Sequence, residues 1–129
     1  MQFEAKNDGS GNPFSQDVTI PWNSITAVAA KAKCQSLGAA YDLISNPEWM
    51  VIARNVEKVS INWSSGVVGS GCLMSGNCLN GNACSYSTGT SDFGPVAGRN
   101  SKASLTLSSG SLIWDFSGNQ WEFVDWYPG

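Results

Sequence analysis

The stretch "ASLTLSSGSLIWDFSGNQWEFVDW", residues 103–126, sets the fold class of this chain. Leu105 and Leu107 alternate with polar neighbours, Ser108-Ser109-Gly110 supplies a turn, and Leu112 to Phe116 return. That is the pattern of an antiparallel hairpin. "WEFVDW", residues 121–126, reads as a further strand. Trp114, Trp121, Trp126, Phe116 and Phe123 share this span with Asp115, Glu122 and Asp125, which raises core packing, a metal site and a binding surface as rival readings. The alternation of Trp114, Phe116, Trp121 and Phe123 with polar neighbours supports the core-packing reading for them.

Upstream of the hairpin the period changes from two to 3.6. In "SITAVAAKAKCQSLG", Ser24 or Thr26 can cap a helix. Ala27, Ala30, Cys34 and Leu37 fall on one face, and Gly38 offers a left-handed stop. This predicts a helix over 26–37. In "YDLISNPEWMVIARNVE", Ser45 and Glu48 have capping-box spacing with Pro47 in the first turn. Trp49, Ile52, Ala53 and Val56 form an apolar stripe, so a second helix is predicted over 47–57. "MQFEAK" at the start suits an edge strand, and "NDGSGNPFSQDVTIP" reads as a surface loop. Residues 60–100 are mostly Gly, Ser and Asn around Trp63, a long irregular segment of the kind that carries function or is pinned down. Two helices beside antiparallel strands, with no repeat and no linker, predict one α+β domain over 1–129.

Composition narrows the partners. The chain has 129 residues, 42% hydrophobic but only 13% charged, so its polar surface rests on Ser, Asn, Thr, Gln and Gly. Such a surface is common in extracellular, loop-rich proteins. The net charge of −3 and the scattered cations exclude a nucleic-acid groove, which needs a basic stripe. Lys31 and Lys33 read as a solvated helix face. No apolar run approaches the roughly 20 residues that a membrane span requires. A start that runs straight into a strand suggests a piece of a larger exported protein, bacterial or phage.

There is no histidine, which excludes Ser-His-Asp and Cys-His catalysis and His-ligated metals. Cys72, Cys78 and Cys84 lie in a Gly/Asn-rich segment that a disulfide would hold. Four cysteines allow three full pairings, which sequence does not separate. Cys72–Cys84 is the first choice, Cys34 reads as a buried thiol, and a zinc site is the weaker alternative because the spacings are wrong.

Two blocks resemble the formylglycine-generating enzyme (sulfatase-modifying factor) family. In the helical block the matching residues are Pro21-Trp22, Ala30, Cys34, Leu37-Gly38, Leu43, Glu48-Trp49 and Ala53-Arg54. In the closing block they are Trp114, Asp115, Gly118-Asn119, Trp121-Glu122, Phe123 and Asp125-Trp126. The blocks stand in the family's order and cover about half of the chain. The resemblance implies a C-type-lectin-like fold, with a twisted antiparallel sheet, two helices and long irregular loops. It implies core and strand packing for Trp114, Phe116, Trp121 and Phe123. It also implies a structural Ca2+ held by the side chains of Asp115 and Glu122 and the carbonyls of Gly118 and Gln120. A tight turn that aims carbonyls between two carboxylates suits calcium, which takes roughly six to eight oxygens.

The family's catalytic cysteines follow the closing block, and no cysteine does so here. Relatives that use iron hold it through histidines, which this chain lacks. A glycosidase pair among Asp115, Glu122 and Asp125 has only nearness along the chain behind it. The expectation is therefore a non-catalytic recognition or adhesin domain. Trp63, Tyr86, Phe93, Asn80 and Asn82 in the long loop would stack on and hydrogen-bond to a glycan or a surface protein. The Glu-Pro-Asn and Gln-Pro-Asp motifs of calcium-bridged sugar binding are absent. The alternatives are a structural tip or cap of an oligomeric fibre, as a homotrimer, and a degenerate enzyme of the sulfatase-modifying type.

Overall fold

The computed structural model describes residues 4–16, 20–76, 78, 81–85, 101–118 and 122–125. Among these the chain is a mixed α+β fold with two helices and two small antiparallel sheets. The order is β1 (Lys6–Asn7), β2 (Pro13–Phe14), α1 (Ala27–Gln35), α2 (Asn46–Glu57), β3 (Ser104–Thr106) and β4 (Leu112–Trp114). Single 3-10 turns lie at Ser60–Asn62 and Ser101–Ala103. No helix among the described residues is long and apolar enough to cross a membrane.

The first sheet corrects the reading of residues 7–21 as a plain loop. Lys6 pairs with Phe14 and Asn7 with Pro13. The turn between them is built by side chains that mimic backbone acceptors. Asn7 Oδ1 accepts from the amides of Gly9 (2.9 Å) and Gly11 (3.0 Å), and Asp8 Oδ1 accepts from Ser10 (2.7 Å) and Asn12 (3.0 Å). These bonds, the Asn12 amide first among them, hold the Asp8 carboxyl below its ordinary range. Composition alone shows a Gly/Asn-rich loop and hides the strands it joins.

Thr26 caps α1, its Oγ1 accepting from Ala29 N at 3.2 Å. Cys34 is buried and Ala30 half-buried, as the periodicity requires, but Ala27 and Leu37 are exposed. The helix ends at Gln35, so Leu37 lies in the following turn and no longer follows the helical period. Gly38 takes φ 132° there.

The capping box of α2 is complete. Glu48 N donates to Ser45 Oγ (3.4 Å), while Glu48 Oε2 accepts from Ser45 N (2.9 Å) and Ser45 Oγ (2.6 Å). The Ser45 hydroxyl and amide hold the Glu48 carboxyl below its ordinary value of 4.5. A depressed carboxyl contributes stability that is present above 4.5 and lost as pH falls through the lowered value. Replacing Ser45 with alanine is expected to cost about 1 kcal/mol near neutral pH. The acid limb of the stability curve should flatten with it, as thermal melts at several pH values would show.

On α2, Val56 is buried, and Trp49, Ile52 and Ala53 are half-buried. Trp49 stacks on Phe116, ring centroids 5.0 Å apart and planes 19° apart, which joins the helix to the end of the hairpin. In the hairpin Ser104 faces Trp114, Leu105 faces Ile113 and Thr106 faces Leu112. Leu105 is 2% exposed, and Val56, Ala103, Cys34 and Cys84 are also buried.

The returning strand stops at Trp114, short of the expected Phe116, because Asp115 adopts φ 48°. Aspartate tolerates that left-handed turn better than most residues. Among the described residues of the expected last strand, 122–125, Asp125 pairs with Ser45 in a single bridge. Asp125 N donates to Ile44 O (2.8 Å), and Asn46 N donates to Asp125 O (3.3 Å). The Asp125 carboxylate accepts from Lys31 Nζ, and Asp42 lies 3.9 Å from the same ammonium. Lys31 is therefore a clamp between α1 and the closing segment rather than part of a solvated face, and its bond to Asp125 raises its pKa. Phe123 is 41% exposed, which corrects its assignment to the core. Trp121 and Trp126 lie outside the described residues.

Candidate functional site

The described residues between Ser60 and Ser85 have almost no regular structure, yet polar contacts fasten them at several points. Their root is Asn62, 2% exposed. The Asn62 amide donates to Val56 O and Thr106 O, both at 2.8 Å, and its Oδ1 accepts from Thr106 N at 2.8 Å. One side chain thus satisfies the end of α2 and the end of β3 together. Buried backbone groups need such partners where the helix and the ladder stop.

Beyond this root the loop folds back on itself. Trp63 bridges to Leu73, Ser64 N donates to Cys72 O (2.9 Å), and Met74 N donates to Asn62 O (2.8 Å). Ser65 Oγ donates to Ser70 O (2.8 Å) and closes the tip. Gly71 sits at φ 74°, where a β-carbon would meet Ser64 Oγ at 2.4 Å, so no larger residue fits without movement. Cys72 and Cys84 form a disulfide, the pairing preferred from sequence, and Cys34 and Cys78 are free. Ser75 N donates to Cys84 O (2.8 Å), and Lys102 Nζ reaches Asn82 O (2.7 Å).

The ordered loop turns apolar side chains outward. Ile61 is 70% exposed, Val67 59% and Val68 49%. Sequence reading passed over them because they stand singly among Gly and Ser and form no periodic face. Of the residues expected to meet a ligand, Trp63 is half-buried and its indole N–H donates to Glu57 O at 2.8 Å. Asn82 is exposed, but its Oδ1 accepts from the amides of Cys84 (2.7 Å) and Ser85 (3.0 Å), so it shapes the turn. Asn80, Tyr86 and Phe93 lie outside the described residues.

The residues assigned to calcium stand elsewhere. Asp115 is 2% exposed, and Gly118 is on an exposed turn with φ 92°. Gln120 lies outside the described residues. Glu122 is exposed on one side and lines an apolar hollow on the other. Burial, with the Asp115 charge second, pushes its carboxyl up to about 7. Asp115 Oδ1 and Ser117 O both crowd Gly76, where a β-carbon would lie 2.9 and 2.5 Å from them, so a side-chain carboxylate and a backbone carbonyl close that space together. Among the described residues no three of Asp, Glu, Cys and His gather around one point. Of the four residues in the expected calcium set, the two carboxylates and the Gly118 turn lie among the described residues and Gln120 does not, against the roughly six to eight oxygens that calcium takes.

The raised Glu122 carboxyl gives a testable slope. A carboxyl that ionises near 7 when folded and near 4.5 when unfolded contributes stability that is full below 4.5. That contribution is lost as pH rises to about 7, because the native state holds the proton longer. Glu122→Gln should remove this falling segment from a plot of melting temperature against pH.

No protein-family model, curated protein or solved structure gives a significant match to this chain.

Proposed function

We propose that this chain is a non-catalytic recognition domain that presents the loop 60–85 to a glycan or a surface protein. The observation that carries the reading is a contrast within this loop. Buried Asn62 and the Cys72–Cys84 disulfide fix an irregular backbone, while Ile61, Val67 and Val68 remain in water. Ordering a loop costs conformational entropy, and a preformed loop meets its ligand with that cost already met. Exposed aliphatic groups on such a loop favour contact with a protein over stacking on a sugar face. The indole of Trp63, turned to Glu57, points the same way.

The purified domain would be applied to glycan and extracellular-protein arrays, in calcium and in EDTA, beside the Ile61→Ser/Val67→Ser/Val68→Ser variant. We expect specific binding that this variant loses while its circular dichroism is unchanged. Binding that survives the triple change, or silence on both arrays, would contradict the reading. A trimer in analytical ultracentrifugation that the same changes dissolve would instead make these side chains an assembly contact in a fibre tip.

A further inference from the structure

We infer that the hollow between α1, α2 and β4 binds a small organic ammonium with an apolar body. Its volume is 340 Å3, within the range of small-ligand pockets. Trp22, Ile25, Ile52, Ile113 and Phe116 supply apolar wall, enough to desolvate an aryl or short alkyl group.

The charges around the hollow select the head group. Among the described residues three carboxylates line it, from Glu4, Asp42 and Glu122, against one ammonium, from Lys33. The Asp42 charge is already answered by Gln35 Nε2 at 3.1 Å and Lys31 Nζ at 3.9 Å. Lys33 Nζ lies towards the β1–β2 turn, 3.4 Å from where a β-carbon on Gly11 would stand. Glu122 lines this hollow and an adjoining one, and in both it shares the wall with the stacked pair Trp49 and Phe116. A carboxylate beside aromatic rings is the surrounding that holds an ammonium, by a charge-assisted hydrogen bond and by attraction to ring faces. An anion would meet net negative charge, and a neutral isostere would gain only the apolar contact.

The test compares three ligands of one shape on the whole chain at pH 8 in EDTA: phenethylammonium, 2-phenylethanol and 3-phenylpropanoate. Binding is followed by amide chemical shifts. We expect saturable shifts at Ile52 and Ile113 for the ammonium, with affinity at least tenfold above the alcohol, and none for the carboxylate. Glu122→Gln, a near-isosteric change, should cut ammonium affinity about tenfold. Equal binding of ammonium and alcohol, preference for the carboxylate, no shift with any ligand, or full affinity in Glu122→Gln would each overturn the assignment. The wild-type ligand series decides the charge preference even if the variant folds poorly.

Discussion

Asn62→Ala is expected to destabilise the chain by about 3 kcal/mol in urea denaturation, because it strips partners from buried backbone groups at two places at once. Val56 O at the end of α2 loses a donor, and both the amide and the carbonyl of Thr106 lose their contacts to the side chain. Alanine also leaves space that water enters with difficulty, since the residue is 2% exposed. The comparison that isolates burial is Asn55→Ala. Asn55 makes a similar clamp on the hairpin turn, donating to Ser108 Oγ at 2.7 Å and accepting from Ser108 N at 2.8 Å, but at the surface. Water can replace those bonds, so the loss there should stay near or below about 1 kcal/mol. Equal losses at the two positions would mean that Asn62 is not the root of the loop.

The second large effect belongs to the disulfide. Cys72 and Cys84 are 12 residues apart, and closing a loop of that length stabilises by about 3 kcal/mol in the chain-entropy description. Cys72→Ser/Cys84→Ser should lower stability by about that amount. It should also loosen the turn around Asn82, whose amide bonds hold Cys84 and Ser85. Cys78→Ser removes a free thiol and should change stability little. Thiol counting in denaturant without reductant should give two, for Cys34 and Cys78, and four after reduction. Four free thiols before reduction would overturn the pairing.

What the sequence disclosed depended on the range of each interaction. The Ser45–Glu48 capping box and the Thr26 cap operate across three residues, so their spacing could be read directly. The Gly/Asn-rich segment showed where a disulfide would help, but Cys78 sits in it beside Cys72 and Cys84, so spacing did not separate the pairings. Asn62 could not be found that way. Its partner Thr106 is 44 residues on, and nothing in "VSINW" marks the asparagine as buried. Lys31 misled for the same reason, since its partner Asp125 is 94 residues away. The β1–β2 hairpin was hidden because its strands are two residues each and carry no countable alternation. The alternating closing block suggested a strand that the left-handed turn at Asp115 interrupts, and backbone sign cannot be read from alternation.

The measurement that tests the central claim most directly is native-state amide hydrogen exchange across residues 60–85. A loop fastened by Asn62 and the disulfide should protect the amides of Ser64, Met74, Ser75 and Gly76, each of which donates to a backbone carbonyl, at levels close to those of β3. Asn62→Ala should erase that protection while leaving the first turn of α2 protected. Exchange of these amides at unprotected rates in the unmodified chain would contradict the claim, because a loop that opens freely presents no preformed surface.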